Sequence, residues 1–149
     1  MIFVETPLVN WVVLAGDGTI TLIDAGYPKH LDAVTNVLVA VPDPQAIEPG
    51  RLHRFSGHAV VPLASPGHTP GHLAYWLPAA RVLACGDAIA TGHPTSRTHG
   101  VQLPARYFNT DDELAHTTME MRLREPVEVL LPGHGPRMDL ARPAEWRED

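Results

Sequence analysis

The sequence predicts a single α/β domain built from layers of strands and helices. Three observations carry this expectation: the chain length, the composition, and the order of strand and helix patterns. The chain has 149 residues, of which 44% are hydrophobic, so it is close to one ordinary domain and can form a core. Strand patterns come first, then one helical pattern, a run of short strands, a second helix and a last strand, which is typical of a layered α/β fold.

The N-terminal elements follow from alternation and turn residues. Asn10–Ala15 is apolar enough for a strand, and Gly16-Asp17-Gly18 is typical of a hairpin turn. Thr19–Asp24 alternates Ile and Leu with Thr, which predicts the second strand of the hairpin. Apolar side chains at helical spacing then predict a helix over His30–Val39, which Pro42 ends.

The C-terminal half is read in the same way. Four further short strands are predicted, at Arg51–Phe55, Ala59–Ala64, Leu73–Leu77 and Arg81–Cys85. The following stretch, Asp87–Phe108, is irregular and of a length that is usually functional. Thr110 and Glu113 have capping-box spacing, so a helix should begin there and end near Leu123. Val127–Leu131 is the last predicted strand, and the polar segment Arg137–Asp149 is expected to be a loosely held tail.

Charge and cysteine content argue against several functional classes. The net charge is −6 and the basic residues are scattered, so nucleic-acid binding is not expected. The single cysteine, Cys85, excludes an internal disulfide and a zinc site of the cysteine-pair type. Met1–Glu5 lacks the basic region of a signal peptide, and no apolar run has the roughly 18 residues of a membrane helix. We therefore expect a soluble, cytoplasmic protein without membrane contact.

Histidine is the residue type with a functional pattern. Of nine histidines, three end a Pro-Gly-His tripeptide where a strand meets a turn: His68, His72 and His134. Asp24 and Asp87 follow apolar strands, where a carboxylate is costly unless it is paired or bound to metal. Imidazole and carboxylate together bind zinc and also suit iron or manganese. Taken singly, a histidine in such a turn is usually a surface residue, and an aspartate at a strand end more often caps the next turn than binds metal. For His72, a hydrogen bond within its own turn is the favoured interpretation.

Four segments, in this order, resemble the metallo-β-lactamase-fold hydrolases along nearly the whole chain: Leu22–Gly26, Ser65–His72, Leu83–Ala88 and Leu131–Gly135. The most specific of them is Pro-Gly-His-Thr-Pro-Gly-His. The resemblance implies metal-assisted hydrolysis, in which a metal lowers the pKa of a bound water molecule.

The resemblance also implies the site residues. His68 would bind one metal and His134 a second, with Asp87 bridging both positions. Asp24 would be a carboxylate that does not itself bind the metal but orients the residues that do. On this basis, the predicted metal ligands are His68, Asp87 and His134, and the predicted catalytic residues are Asp24 and His134.

The chain departs from the family at its defining metal motif, His-x-His-x-Asp-His. Between Asp24 and His68 the only histidines are His30, His53 and His58, and none has that spacing. We therefore expect an incomplete αββα sandwich, one truncated domain over 1–149, from which part of the N-terminal half is deleted. Three protein ligands are the minimum for catalytic zinc, so we expect at most one ion per chain (zinc, iron or manganese) and weak hydrolysis of an ester, lactone, thioester or amide.

Two further expectations follow from the missing layer. It should expose apolar surface and a sheet edge, so we expect a homodimer or a higher oligomer. The alternative to an enzyme is a non-catalytic binding or assembly module, a pseudoenzyme that kept the scaffold. A small-molecule substrate would contact the loop Ile89–Phe108, from which His93 and His99 could reach the site; the sequence does not identify the substrate.

Overall fold

A three-stranded antiparallel sheet forms the N-terminal part of the protein. The computed structural model describes residues 1–6, 8–23 and 47–140. The strands are β1 (Ile2–Val4), β2 (Trp11–Gly16) and β3 (Thr19–Ile23), in the order β1-β2-β3. The predicted hairpin is confirmed: Asp17 and Gly18 have φ angles of 51° and 71°, as a two-residue type I′ turn requires.

A six-stranded sheet contains the other strands of the described residues, and these strands follow chain order. They are β4 (His53–Phe55), β5 (His58–Ala64), β6 (Leu73–Leu77), β7 (Val82–Gly86), β8 (Val129–Pro132) and β9 (Met138–Asp139). Every neighbouring pair is antiparallel except β7 and β8, which are parallel. Parallel neighbours need a long crossover, and the chain supplies it with the irregular loop and the helix α1 (Asp112–Leu123).

The two faces of the six-stranded sheet pack against different layers. On one face, Val82 and Ala84 of β7 join Leu14 of β2 in a core between the two sheets. On the other face, Leu83 and Cys85 pack in a second core that contacts the apolar side of α1. Successive residues of one strand thus enter two cores, since side chains alternate along a strand. The described residues therefore form three layers, sheet, sheet and helix, and the fold is a partial αββα sandwich.

Most predicted elements are present, with boundaries shifted by one or two residues. The sequence patterns missed β1 and also β9, whose Met138–Asp139 pairs with β8; the expectation of a loose tail from Arg137 was therefore wrong at its start. The predicted helix over His30–Val39 and the residue Asp24 lie outside the described residues. No helix that the structure describes is long and apolar enough to cross a membrane.

The start of α1 differs from the capping-box prediction by one residue. Asp111, not Thr110, is the N-cap, because its Oδ1 accepts a hydrogen bond from the backbone N–H of Leu114 at 3.0 Å. The hydroxyl of Thr110 instead donates to the carbonyl oxygen of His68 at 2.9 Å. The start of the helix is therefore hydrogen-bonded to the first Pro-Gly-His turn.

Candidate metal centre

Three of the residues singled out from the sequence lie together at one end of the six-stranded sheet. His68 is in the turn between β5 and β6, Asp87 directly follows β7, and His134 is two residues beyond the end of β8. Because β7 and β8 are parallel neighbours, their carboxyl ends lie side by side and bring Asp87 next to His134. The β5–β6 turn brings His68 to the same point.

The carboxylate of Asp87 lies between the two imidazoles. His68 Nε2 is 3.3 Å from Asp87 Oδ2, and His134 Nε2 is 3.4 Å from Asp87 Oδ1. Two ligands of one tetrahedral zinc, each bonded at about 2.0–2.1 Å, lie about 3.4 Å apart, so each histidine–oxygen pair has a suitable spacing. Taken three at a time, however, the His, Cys, Asp and Glu side chains that the structure describes are not arranged to hold one ion. The spacing suitable for a metal is therefore found in each histidine–oxygen pair separately, with one histidine beside each oxygen of Asp87.

The hydrogen bonds of His68 identify which of its nitrogens carries the proton. Asn109 Nδ2 donates to the carboxylate of Asp112 at 2.8 Å, which fixes the orientation of the Asn109 amide. The amide oxygen therefore faces His68 Nδ1, at 3.3 Å, and an amide oxygen can only accept. The Nδ1 of His68 is thus the protonated nitrogen, and in the neutral ring Nε2 directs a lone pair at an anionic oxygen. That contact is favourable only when a proton on Nε2 or a metal ion lies between the two groups, so in the neutral ring the donor set suits a metal ion.

Asn109 and Asp112 are site residues that the sequence analysis missed. Metal-binding histidines commonly donate their second N–H to a fixed acceptor, and Asn109 fills this role for His68. The available signal was weak: Asn109 stands immediately before the helix-capping segment, and its distance from His68 in the chain gives no indication of contact.

The turn that carries His134 is fixed by Asn10, another residue that the analysis missed. Asn10 is buried, with 4% of its surface exposed. Its Nδ2 donates to the carbonyl oxygens of Pro132 and Gly135, at 3.1 and 2.6 Å, and its backbone N–H donates to Gly133 at 2.8 Å. The Nδ1 of His134 is itself buried without a hydrogen-bond partner among the described residues.

His72, for which a bond within its own turn was expected, also orients Asp87. Its main chain does bond within the turn, to Ser65 and Thr69. Its ring Nε2, however, accepts a hydrogen bond from the backbone N–H of Asp87 at 3.1 Å. The second Pro-Gly-His tripeptide thus supports the bridging carboxylate, whereas the first and third supply the histidines that face it.

The glycines of the first and third tripeptides are required by close approaches. A Cβ atom on Gly133 would lie 2.5 Å from Asp87 Oδ1, so a larger residue would displace the carboxylate. Gly67 has a φ of +129°, and a Cβ there would collide with the backbone of Ala115 in α1. Gly71 is different, because none of the described residues, its chain neighbours aside, lies within 4 Å of its Cβ position.

The long loop adds His93 to the centre. The ring of His93 lies 4.6 Å from that of His134, centroid to centroid, and 5.2 Å from that of Phe108. His93, His99 and His134 line one pocket of about 450 Å³. Burial lowers the pKa of His93, and the neighbouring His134 lowers it further.

Cys85 lies two residues before Asp87 and is not available as a ligand. It is fully buried, its Sγ donates to the carbonyl oxygen of Ile89 at 3.3 Å, and burial raises the pKa of its thiol. Of the other predicted site residues, Asp24 lies outside the described residues, as does His30. The structure therefore brings together all three predicted metal ligands and leaves Asp24 a prediction.

Comparison with known proteins decides the family. The family model of the metallo-beta-lactamase superfamily matches residues 37–134, which include all three clustered side chains. The chain belongs to the metallo-beta-lactamase superfamily. It is also 37% identical, over 128 residues, to a protein of Bacillus subtilis (strain 168) described as the probable metallo-hydrolase YflN. That match covers 79% of this chain but only 44% of the relative, so the chain spans less than half the length of this curated relative.

Solved structures agree with the superfamily fold. The structure of TTHA1623 in a di-iron-bound form matches with a TM-score of 0.57 and 20% identity, over 93% of this chain and 94% of that one. A metallo-beta-lactamase family protein from Thermus thermophilus, TTHA1429, matches with a TM-score of 0.50 and 19% identity, over 66% of this chain and 31% of the other. At these identities the likeness shows the fold alone.

Proposed function

We propose that this protein is a metal-dependent hydrolase with a partial metal centre, in which His68, Asp87 and His134 hold one ion. The observation that carries the proposal is the pairing of the two Nε2 atoms with the two oxygens of Asp87, at 3.3 and 3.4 Å. The hydrogen bond between His68 and Asn109 places a proton on Nδ1, so in the neutral ring the Nε2 of His68 presents a lone pair for a metal ion. Two imidazoles and a carboxylate suit zinc, iron or manganese.

A single ion is favoured by the number of ligands. In this chain, which lacks the His-x-His-x-Asp-His motif, each oxygen of Asp87 has one histidine beside it. Two separate positions would therefore have two protein ligands each, below the three that a catalytic zinc needs. All three side chains around one ion meet that minimum. Since they are not so arranged as they stand, binding must include a small rotation of side chains, which weakens affinity.

The chemistry expected of the site follows from this ligand set. A bound metal would lower the pKa of a water molecule and polarise the carbonyl group of a substrate. The protein residues keep the ligands in place: His72 holds the backbone of Asp87, Asn109 holds the ring of His68, and Asn10 holds the turn of His134. The pocket of about 450 Å³ beside His134 is large enough for a small substrate, and we propose an ester, lactone, thioester or amide. With ligands of the superfamily centre absent, we expect slow turnover.

Activity after metal reconstitution tests this function. The protein, made without a histidine tag, is stripped with a chelator and reloaded with zinc, iron(II) or manganese, and hydrolysis of an aryl acetate, a lactone and a thioester is followed. We compare the wild type with Asp87→Asn, and with His116→Ala as a control, because His116 is exposed on α1. The expected result is metal-dependent turnover that His116→Ala keeps and Asp87→Asn loses. Turnover that is independent of metal, or equal in all three proteins, would contradict the proposal.

The second candidate is a non-catalytic binding or assembly module that kept the scaffold. It is favoured by the finding that no three candidate ligands of the described residues are arranged around one point. It predicts no metal-dependent turnover on any of the three substrates. We also propose self-association, supported by the exposure of two apolar side chains on the three-stranded sheet, Ile2 at 59% and Ile20 at 50%, since exposed apolar surface on a sheet favours pairing with another chain.

A further inference from the structure

His93 belongs to the long loop, and its ring packs against the proposed ligand His134. The centroid of the His93 ring is 4.6 Å from that of His134 and 5.2 Å from that of Phe108, with interplanar angles of 73° and 53°. These two ring contacts hold His93 in the wall of the pocket that it shares with His134. Such a position allows two different roles: a replacement metal ligand, or a residue that contacts substrate.

The hydrogen bonds of Thr95 decide between these roles. The backbone N–H of Thr95 donates to His93 Nδ1 at 3.2 Å, and the Thr95 hydroxyl is 2.7 Å from the same nitrogen. A backbone N–H can only donate, so Nδ1 must accept, and in the neutral ring the proton is on Nε2. Nε2 has no hydrogen-bond partner among the residues that the structure describes.

A metal ligand needs a free lone pair, and the lone pair of neutral His93 is already engaged by Thr95. The other nitrogen carries a hydrogen and can therefore only donate. We propose that His93 is a substrate-contacting residue whose Nε2–H donates a hydrogen bond to an oxygen of the substrate, the carbonyl oxygen of an ester or lactone. The role rests on the proposed hydrolase function, and it requires a substrate with an accepting oxygen next to the bond that is cleaved.

This role differs from that of His68, although both residues are histidines at the same centre. In His68 the protonated nitrogen faces Asn109 and the lone pair faces Asp87. In His93 the lone pair on Nδ1 accepts a hydrogen bond from Thr95 of the loop, so the protonated Nε2 is available to a molecule bound in the pocket. The two rings thus have opposite tautomers, which makes His68 suitable as a metal ligand and His93 as a hydrogen-bond donor.

Two substitutions distinguish whether His93 is a hydrogen-bond donor, a metal ligand or a general base. His93→Gln keeps an N–H donor but neither titrates nor readily binds metal, whereas His93→Ala removes the donor. In the metal-loaded protein we expect His93→Ala to lower kcat/KM about 100-fold, the usual effect of losing one donor to a reacting oxygen, and His93→Gln to keep most activity. Metal content should be unchanged in both. Loss of metal in both variants would make His93 a ligand, and an equal loss of activity in both would make it a base; either result overturns the proposal.

A measurement without turnover keeps this test separate from that of the proposed function. In protein labelled with ¹⁵N-histidine, two-bond ¹H–¹⁵N correlations report the tautomer of each ring, and His93→Gln assigns the His93 signals by their disappearance. We expect the Nε2–H tautomer near neutral pH, and a saturable shift of the Nε2 signal when acetate, a product carboxylate, is added to metal-loaded protein. His116→Gln, at an exposed position of α1, should leave these signals in place. An Nδ1–H tautomer, or an Nε2 signal that acetate does not move, would overturn the proposal even if hydrolysis is observed.

Discussion

Replacement of Asn10 by alanine should destabilise the fold and loosen the metal centre together. Three hydrogen bonds of the buried Asn10 side chain would be lost: two to the carbonyl oxygens of Pro132 and Gly135, and one from the backbone N–H of Thr6 at 3.0 Å. A typical intramolecular hydrogen bond contributes about 1 kcal/mol net, so the free energy of unfolding should fall by about 3 kcal/mol.

Urea unfolding measures this change directly. With an m-value of about 2 kcal/mol/M, the midpoint should fall by about 1.5 M. Thr117→Ala is the matched control, because it removes an exposed side-chain bond to the carbonyl oxygen of Glu113, and it should change stability by less than about 0.5 kcal/mol. Metal affinity should weaken only in Asn10→Ala, since Asn10 fixes the turn of His134. A loss of stability below about 1 kcal/mol would refute the reasoning and mean that the freed carbonyl groups find other donors.

Three further predictions test other parts of the account. Gly133→Ala should lower metal affinity at least about 10-fold by displacing the Asp87 carboxylate. Gly71→Ala should bind metal normally, because no non-neighbouring residue in the described part of the chain lies within 4 Å of its Cβ position; equal affinity in both would contradict the contact. Asp111→Ala should cost about 1 kcal/mol in urea unfolding, and no loss would mean that Asp111 does not cap α1. Light scattering should show a dimer or larger species that dissociates when Ile20 is replaced by lysine, and a monomeric wild type would reject self-association.

Much of this fold can be predicted from the sequence because most of its strands and its helix are encoded by local residue patterns. The hairpin at Asp17-Gly18 follows from turn chemistry, and β6 follows from a short apolar run between breakers. The elements that were missed, β1 and β9, are only three and two residues long, too short to show an alternating pattern, and each is a strand because it pairs with the adjacent strand, β2 or β8. Such pairing has no signal within the segment itself.

The candidate site was predictable only in part, for the same reason. His68, Asp87 and His134 stand in motifs at the ends of strands, and the structure brings them together. The residues that hold them are separated in the chain from the residues they support: Asn10 contacts a turn more than one hundred positions away, and Asn109 contacts His68 from a different element. His68 is proposed to offer a lone pair to a metal, and His93 to donate a hydrogen bond to the substrate. This difference depends on single hydrogen bonds, to Asn109 and from Thr95, which no sequence motif specifies.

We propose that His68, Asp87 and His134 bind a metal ion although the chain lacks the His-x-His-x-Asp-His motif. The most direct test is metal per chain, measured by elemental mass spectrometry on untagged protein that has been loaded with zinc, iron or manganese and then gel-filtered. We predict close to one ion per chain for the wild type and for His116→Ala, and well below one for His134→Ala. A wild type without bound metal, or a His134→Ala variant that holds as much metal as the wild type, would contradict the account.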